Sequence, residues 1–391
     1  MRQRFVAAIG VAILIVVVAA LLKPWPVPVA GQGQTAALKT AWGDPDLQGI
    51  WANEYATPLQ RPARFASKEF FTEEERAELD NRRAGQRTFS DRSAPRGSEQ
   101  DVAGAYNAVF QSRRPTGRRT SLVVDPPDGR IPPLTAEVQK RRGELKEFQL
   151  ALMQAVETCK TTQERSCAGV KHGPPSPRFE EVAPHYVTTF AFLNRANGPE
   201  DFGLGERCMG GNLPDFDGYR RIVQSPGAIT IFYDVGQGQG WSRTIPITDR
   251  PHLPSHVRQW WGDSRGRWEG NTLVVDVTNF SAKTDFQGSR ENLHLVERWT
   301  RTSPTTLEYA VTIEDPTVWT RPWTVKQEFT RQSEQENRVY YEPRCVEGNF
   351  GFPAMMKAAR QEDREFAEGR GPDPLTKDNA SGGADSDPLQ Q

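Results

Sequence analysis

The chain has 391 residues, with 49 Lys and Arg against 50 Asp and Glu, and a formal net charge of −1. That length builds one large or two modest domains, and the near-neutral balance argues against a protein made to coat nucleic acid or an anionic membrane. Apolar residues are only 36%, beside 33 Gly and 30 Pro, a composition rich in turn-formers for which Gly and Pro average roughly 12% combined, and this disfavours an all-helical bundle.

Arg2 and Arg4 precede an uninterrupted apolar run from Phe5 to Leu22, followed by Lys23. A basic segment before a hydrophobic one is the pattern of an export signal. The run would form a helix of about 27 Å, long for a signal peptide and just enough to span a bilayer. Residues 1–31 therefore read as a signal peptide or an N-terminal membrane anchor, placing the rest in the periplasm or on its inner-membrane face. Residues 32–45 read as a linker, and residues 369–391, with little to bury, as a disordered tail.

Between these ends, Asp46 to Trp51 reads as a first strand. Phe71 to Ala84 reads as a helix, with Thr72 as N-cap and Glu75 completing a capping box. Ser121 to Asp125 is a short strand closed by the turn signal Pro126-Pro127-Asp128-Gly129. Thr135 opens the longest helical pattern, running to about Thr158, with Leu145, Phe148, Leu152 and Val156 on one face. Lys171 to Pro226 is rich in Pro, Gly and Asn and reads mostly as loop. Residues 46–220 thus form a helical and loop-rich region after the first strand.

Residues 221–350 change to strand periodicity. Ile229–Val235 and Trp241–Ile247 flank a glycine-rich hairpin. Gly266–Glu269 and Thr272–Thr278 flank Gly270-Asn271, a turn favouring positive φ. Leu293–Thr300 and Thr306–Ile313 follow, then Trp323–Thr330 and Arg338–Glu342, and residues 351–368 read as a C-terminal helix. Sequential hairpins imply an antiparallel meander, and a meander this long curls because closure removes exposed edges. The expected fold is mainly β with peripheral α: an up-and-down, lipocalin-like barrel or curled sheet. Gly49-Ile50-Trp51 resembles the first strand of lipocalin-like barrels. That resemblance implies a Trp plugging the closed end against a late-strand Arg, here Arg331 or Arg338.

Four cysteines, Cys159, Cys167, Cys208 and Cys345, in an exported chain suggest two disulfides with three possible connectivities. Cys159 with Cys167 is a natural local bridge, and Cys208 with Cys345 would tie the central loops to the last strand. The familiar catalytic motifs fail. Gly262-Asp263-Ser264-Arg265-Gly266 matches a hydrolase elbow in letters, but a β-rich run follows it where the elbow needs a helix. His252 and His256 are four apart, yet Pro251 and Pro254 oppose the helix that zinc binding at this spacing requires. No cofactor and no metal are expected.

The densest candidate segment holds His252, His256, Trp260, Trp261, Asp263, Arg265, Arg267, Trp268 and Glu269. Seven of the ten Trp lie between Trp241 and Trp323. Trp faces stack on cyclic or flat apolar ligands while Arg and Asp fix orientation. His294, on an expected mid-sheet strand, is the candidate general base if it points inward, with Asp263 or Glu297 as carboxylate partner. Glu347 and Asn349 would rim the pocket. The leading expectation is an exported protein binding a small cyclic or partly apolar molecule. Alternatives are a hydrolase, lyase or isomerase using His294 and a carboxylate, or an interaction protein of the cell envelope. Nucleic acid is not an expected partner, and the membrane is one only through an uncleaved N-terminal segment.

Five strings together, Pro45-Asp-Leu-Gln-Gly-Ile-Trp51, Ser121-Leu-Val-Val-Asp-Pro-Pro-Asp-Gly-Arg-Ile-Pro-Pro-Leu134, Gly262-Asp-Ser-Arg-Gly-Arg-Trp-Glu-Gly270, Asn292-Leu-His-Leu-Val-Glu-Arg298 and Glu347-Gly-Asn349, resemble a family of uncharacterised exported bacterial proteins. The family is frequent in soil and environmental bacteria. The resemblance spans nearly all of the chain beyond the linker and implies export but no activity. The chain departs from the family pattern at Val346, where relatives carry His.

Overall fold

The computed structural model describes residues 38–85, 114–161, 170–185, 195–202, 207–209, 211–216, 218–236, 239–333, 335 and 350–377. The N-terminal segment 1–31, most of the linker, the expected strand Arg338–Glu342, Cys167, Cys345, Glu347, Asn349 and most of the tail lie outside the described residues.

One antiparallel sheet organises the chain. Its strands are β1 (Gly49–Ala52), β2 (Val123–Asp125), β3 (Tyr219–Ser225), β4 (Ala228–Gly236), β5 (Gln239–Pro246), β6 (Asp263–Glu269), β7 (Thr272–Thr278), β8 (His294–Ser303), β9 (Thr306–Glu314) and β10 (Trp323–Gln332). They run in the order β5-β4-β3-β1-β10-β9-β8-β7-β6, with β2 paired to β10 off this path. The meander expected from the turns is thus two meanders, β3 to β5 and β6 to β10. They are joined by β1, which pairs β3 through Trp51↔Arg220 and β10 through Trp51↔Arg331. A strand from the N-terminal region therefore sits in mid-sheet, and β3 occupies residues that the Pro- and Gly-rich composition marks as loop.

The sheet curls until its edges meet without forming a ladder. β5 and β6 are linked by one bridge, Ile247↔Gly266, and by the Thr248 N–H donating to the Gly266 carbonyl at 3.0 Å. The close approach is possible because residue 266 has no side chain. A Cβ there would stand 2.7 Å from Ile247 Cδ1 and 3.0 Å from Ile245 Cγ2. At the β6–β7 hairpin Gly270 takes φ 62°, the left-handed region that its lack of a Cβ makes accessible. The result is a mainly β fold, an incompletely closed barrel with helices outside.

Strand alternation sends one residue in two to the inside. Register pairs Ile222 with Ile231, Val311 with Val325, and Leu295 with Ile313 and Val277. These side chains join Trp51, Trp299, Trp323 and Phe329 in one core. Trp51 lies in that core, as a plug would, and its indole N–H donates to the Leu47 carbonyl at 2.9 Å. The arginine over its ring is Arg301 of β8, 5.4 Å from the centroid. Arg331 is its register partner but is exposed, and Arg338 lies outside the described residues.

The helices are α1 (Glu73–Gly85), α2 (Ala136–Met153), the single turn α3 (Thr158–Thr161) and α4 (Gly351–Ala367). The capping box before α1 forms: Thr72 N–H donates to Glu75 Oε2 at 2.9 Å and Glu75 N–H to Thr72 Oγ1 at 3.2 Å. Thr135 caps α2 by accepting from the Val138 N–H, and its own N–H is held by the Val318 carbonyl at 2.8 Å. The helix ends at Met153, short of the expected Thr158, where the chain turns into α3. Phe148 and Leu152 of α2 bury against Phe179 in a small cluster of their own.

Candidate functional site

Two sets of chemically active side chains emerge, on opposite faces of the same strands. The inner set begins with charge at an inward parity. On β5, Trp241, Arg243 and Ile245 face inward; on β8, Leu295, Glu297 and Trp299 do. Arg243 Nη2 donates to Glu297 Oε2 at 2.6 Å, and Tyr309 OH donates to Glu297 Oε1 at 2.8 Å. All three residues are buried, Glu297 completely. A lone buried charge would be prohibitive, so the pair and the phenol hold one another in place. Burial would lower the Arg243 pKa, but the Glu297 charge outweighs it and the guanidinium is held more firmly protonated than usual. Burial, reinforced by the nearby Glu297 charge, pushes the Tyr309 phenol well above its ordinary value. Burial raises Tyr233 as well, against the opposing pull of Arg243.

Around this group stands an aromatic wall. Tyr233, Trp241 and Trp261 form a three-ring stack, with centroids 4.2 Å and 4.5 Å apart and planes within 16°. Trp299 leans on Tyr309 at 4.1 Å. Arg220, fully buried, lies 3.8 Å over the Phe329 ring and donates to the Asp215 carbonyl and carboxylate. Several buried donors of this interior have no hydrogen-bond partner among the described residues: Nε and Nη1 of Arg243, the Tyr233 hydroxyl, and the indole N–H groups of Trp241, Trp268 and Trp299. Each such group carries a desolvation penalty of about 1–3 kcal/mol.

The outer set is a chain of carboxylates and imidazoles across β6, β7, β8 and β9. His252, in the loop after β5, meets Asp263 through Nδ1 at 2.9 Å and Asp276 through Nε2 at 2.8 Å. His294 meets the other Asp276 oxygen through Nε2 at 3.2 Å and Glu314 through Nδ1 at 3.4 Å. Asp263 is buried and also accepts from Arg265 at 2.5 Å and from the Leu253 N–H at 2.9 Å.

The expected site residues divide between these sets. Trp261 and Trp268 pack on the inner core, Trp261 also donating to the Gly211 carbonyl at 2.7 Å. Trp260 is half-buried beside them in sequence, and His256 is exposed. Arg267 and Glu269 pair with each other at 2.7 Å on the exposed face, where Glu269 also takes Arg298 at 2.9 Å. His294 lies on the outer face and Glu297 on the inner, so the structure does not bring them to a common substrate. The alternation of a strand decides this. His294 and Asp263 do share a face, linked through His252 and Asp276. Ser264 sits buried within β6 and is followed by β7, not by the helix an elbow requires. Neither Cys159 nor Cys208 is a free thiol.

The inner residues Arg220, Tyr233, Arg243, Trp299 and Tyr309 form no dense cluster in the sequence because they are scattered through five strands. A usable signal exists: Arg243 between Trp241 and Ile245, and Glu297 between Leu295 and Trp299, are charges at the apolar parity of a strand. Such a charge needs a partner of opposite sign on the same face.

No protein-family profile matches the chain, and no curated protein matches it by sequence. Among solved structures it is similar to an abundant heat soluble (SAHS) protein from Ramazzottius varieornatus, at 10% identity and a TM-score of 0.21, over 29% of this chain and 70% of that one. It is also similar to a variant of the fluorescent protein UnaG, at 15% identity and a TM-score of 0.19, over 30% of this chain and 72% of that one. Similarities of this size bear no weight on ligand or activity.

Proposed function

We propose that this chain is an exported binding protein that takes a small, cyclic or partly apolar molecule bearing an acceptor group into the curled sheet. The unpartnered inward donors support this reading. Arg243 spends one of its nitrogens on Glu297 and leaves two others buried without an acceptor among the described residues; the Tyr233 hydroxyl is likewise unpartnered there, and its ring centroid lies 5.9 Å from the guanidinium carbon. A ligand carboxylate or carbonyl would satisfy them, and the outer ring face at an end of the stack, that of Tyr233 or Trp261, would receive its apolar body. Export rests on the N-terminal basic-apolar pattern and on the resemblance to exported bacterial proteins. Both belong to the proposal, as does the pairing of the cysteines.

Thermal shift and Trp fluorescence of the purified chain against matched aromatic, steroid and fatty acids and their uncharged analogues test it. Acids are expected to raise the melting temperature and quench Trp fluorescence more than their analogues. Arg243→Met combined with Glu297→Leu, which removes the pair without stranding either charge, is expected to abolish that preference. An interior whose donors are met by buried water would respond to none of these compounds, and that result sinks the reading.

A further inference from the structure

The outer set of imidazoles and carboxylates holds a loop that burial does not. Residues 247–262 join β5 to β6, the two edges that the curl brings together through the bridge Ile247↔Gly266. Of residues 249–259 His252 alone is not exposed, so the stretch gains little from removing apolar surface from water. Polar contacts fix it instead. His252 Nδ1 stands 2.9 Å from Asp263 and its Nε2 2.8 Å from Asp276, and Asp263 also accepts from the Leu253 N–H at 2.9 Å. Asn279 Nδ2 donates to the Leu253 carbonyl at 2.7 Å, and the Gln259 N–H donates to the Asn279 carbonyl at 2.9 Å. The far end of the loop carries Trp261, whose ring stacks 4.5 Å from Trp241. His294 continues the row, from Asp276 on β7 to Glu314 on β9.

A carboxylate only accepts hydrogen bonds, and a neutral imidazole has one donor and one acceptor nitrogen. Each of the two rings faces a carboxylate with both nitrogens. All four contacts are therefore donations only when both rings are doubly protonated. The charged groups around the rings are Asp263 and Arg265 of β6, Asp276 of β7 and Glu314 of β9. Two imidazoliums and Arg265 balance the three carboxylates. With both rings neutral, Arg265 faces the three alone and each ring turns a lone pair toward a carboxylate. We propose that His252 and His294 form a pH-sensitive clasp that holds the β5–β6 crossover over the seam when protonated and frees it when neutral. An imidazole makes that change between about pH 5 and pH 8, so acid closes the loop and rising pH opens it. The hold is partial. Both rings are partly open to water, which weakens an ion pair, and the contacts of Asn279 with Leu253 and Gln259 persist at any pH. Losing one hydrogen bond to a charged group at such a place shifts the loop-opening equilibrium about 10-fold. Opening at the seam beside Trp261 would give a small molecule a way to the aromatic interior. That consequence rests on the binding reading above; the clasp itself does not, because loop opening is measured without ligand.

Amide hydrogen exchange of the purified full chain, resolved by NMR and expressed as protection factors that remove the intrinsic pH dependence, tests the clasp. Asp285, its carboxyl pushed up to about 6 by burial, titrates in the same range, so every comparison is made in an Asp285→Asn chain. From about pH 5.5 to about pH 8 the Leu253 and Gln259 amides are expected to lose about 10-fold in protection. Thr248, whose N–H donates across the seam to the Gly266 carbonyl, is expected to follow them. Adding His252→Gln and His294→Gln, whose side-chain amides donate without titrating, is expected to remove most of the change, while His256→Ala leaves it intact. Should the double substitution fail to fold, His252→Gln alone, in the exposed loop, carries the test. Protection at Leu253 and Gln259 that does not vary with pH overturns the proposal, as does a change that survives the substitution of His252. A Thr248 amide indifferent to pH beside a responsive loop overturns the hold on the seam. Failure of every acid to bind sinks the binding reading and leaves these exchange rates as they are.

Discussion

His294 and Glu297 are three residues apart on one strand and live in different solvents. Glu297 is sealed inside the curled sheet, where Arg243 and Tyr309 hold its charge. His294 stands at the surface, where Asp276 and Glu314 meet it in partial contact with water. The residue chemistry of the two faces is alike: basic side chains facing carboxylates at hydrogen-bond distance. What differs is the cost of removing a partner. Water replaces a lost contact outside, whereas inside nothing does.

The sharpest way to break this comparison is Glu297→Ala, which strands the Arg243 guanidinium among aromatic rings. It is expected to lower unfolding free energy by about 3–5 kcal/mol in chemical denaturation. The Arg243→Met, Glu297→Leu pair recovers most of the loss. If the single and double variants are equally unstable, the inner charges matter for shape and not for pairing.

A smaller, pH-dependent effect is expected at Asp285, half-buried in the loop before β8. Burial pushes its carboxyl up to about 6, against the opposing hydrogen bond from the Gly288 N–H. A raised value in the fold means the folded state holds the proton more tightly than the unfolded chain. The associated stability is therefore complete below the ordinary carboxylate value of about 4 and is lost as pH rises through about 6. Asp285→Asn should flatten that slope and melt higher than the parent above pH 7. An unchanged slope would show that the loop admits enough water to relieve the charge.

The smallest effect is expected on the outer face of β9 and β10, where Lys326 meets Glu308 at 3.2 Å with both side chains partly exposed. Lys326→Gln should change stability by about 0.5 kcal/mol or less in the same denaturation experiment. A loss approaching that of Glu297→Ala would mean that the two faces are not distinguished by burial after all.

Local structure was largely legible beforehand. Thr72 and Glu75 announce the start of α1, Thr135 that of α2, and Gly270-Asn271 the β6–β7 hairpin, because caps and turns are settled by residues within a few positions of one another. The insertion of β1 between β3 and β10 was not legible. Four residues carry no label for their neighbours when those lie about 170 and 280 positions away in the chain. For the same reason Arg243 and Glu297, 54 positions apart, could be noticed only as misplaced charges. His252 could be placed only within a dense polar and aromatic segment, with no partner assigned, whereas its contacts are Asp263 and Asp276.

Composition and periodicity by themselves determined a turn-rich antiparallel β chain with an aromatic interior, since these follow from backbone preferences and the two-residue alternation of strands. Only the tertiary structure decided which charges share a face and which are sealed from water. Curling turns one side of every strand into an interior, and the strand order, which no local interaction specifies, brings Arg243 to Glu297 on one side of the sheet and His252 to Asp276 and His294 on the other.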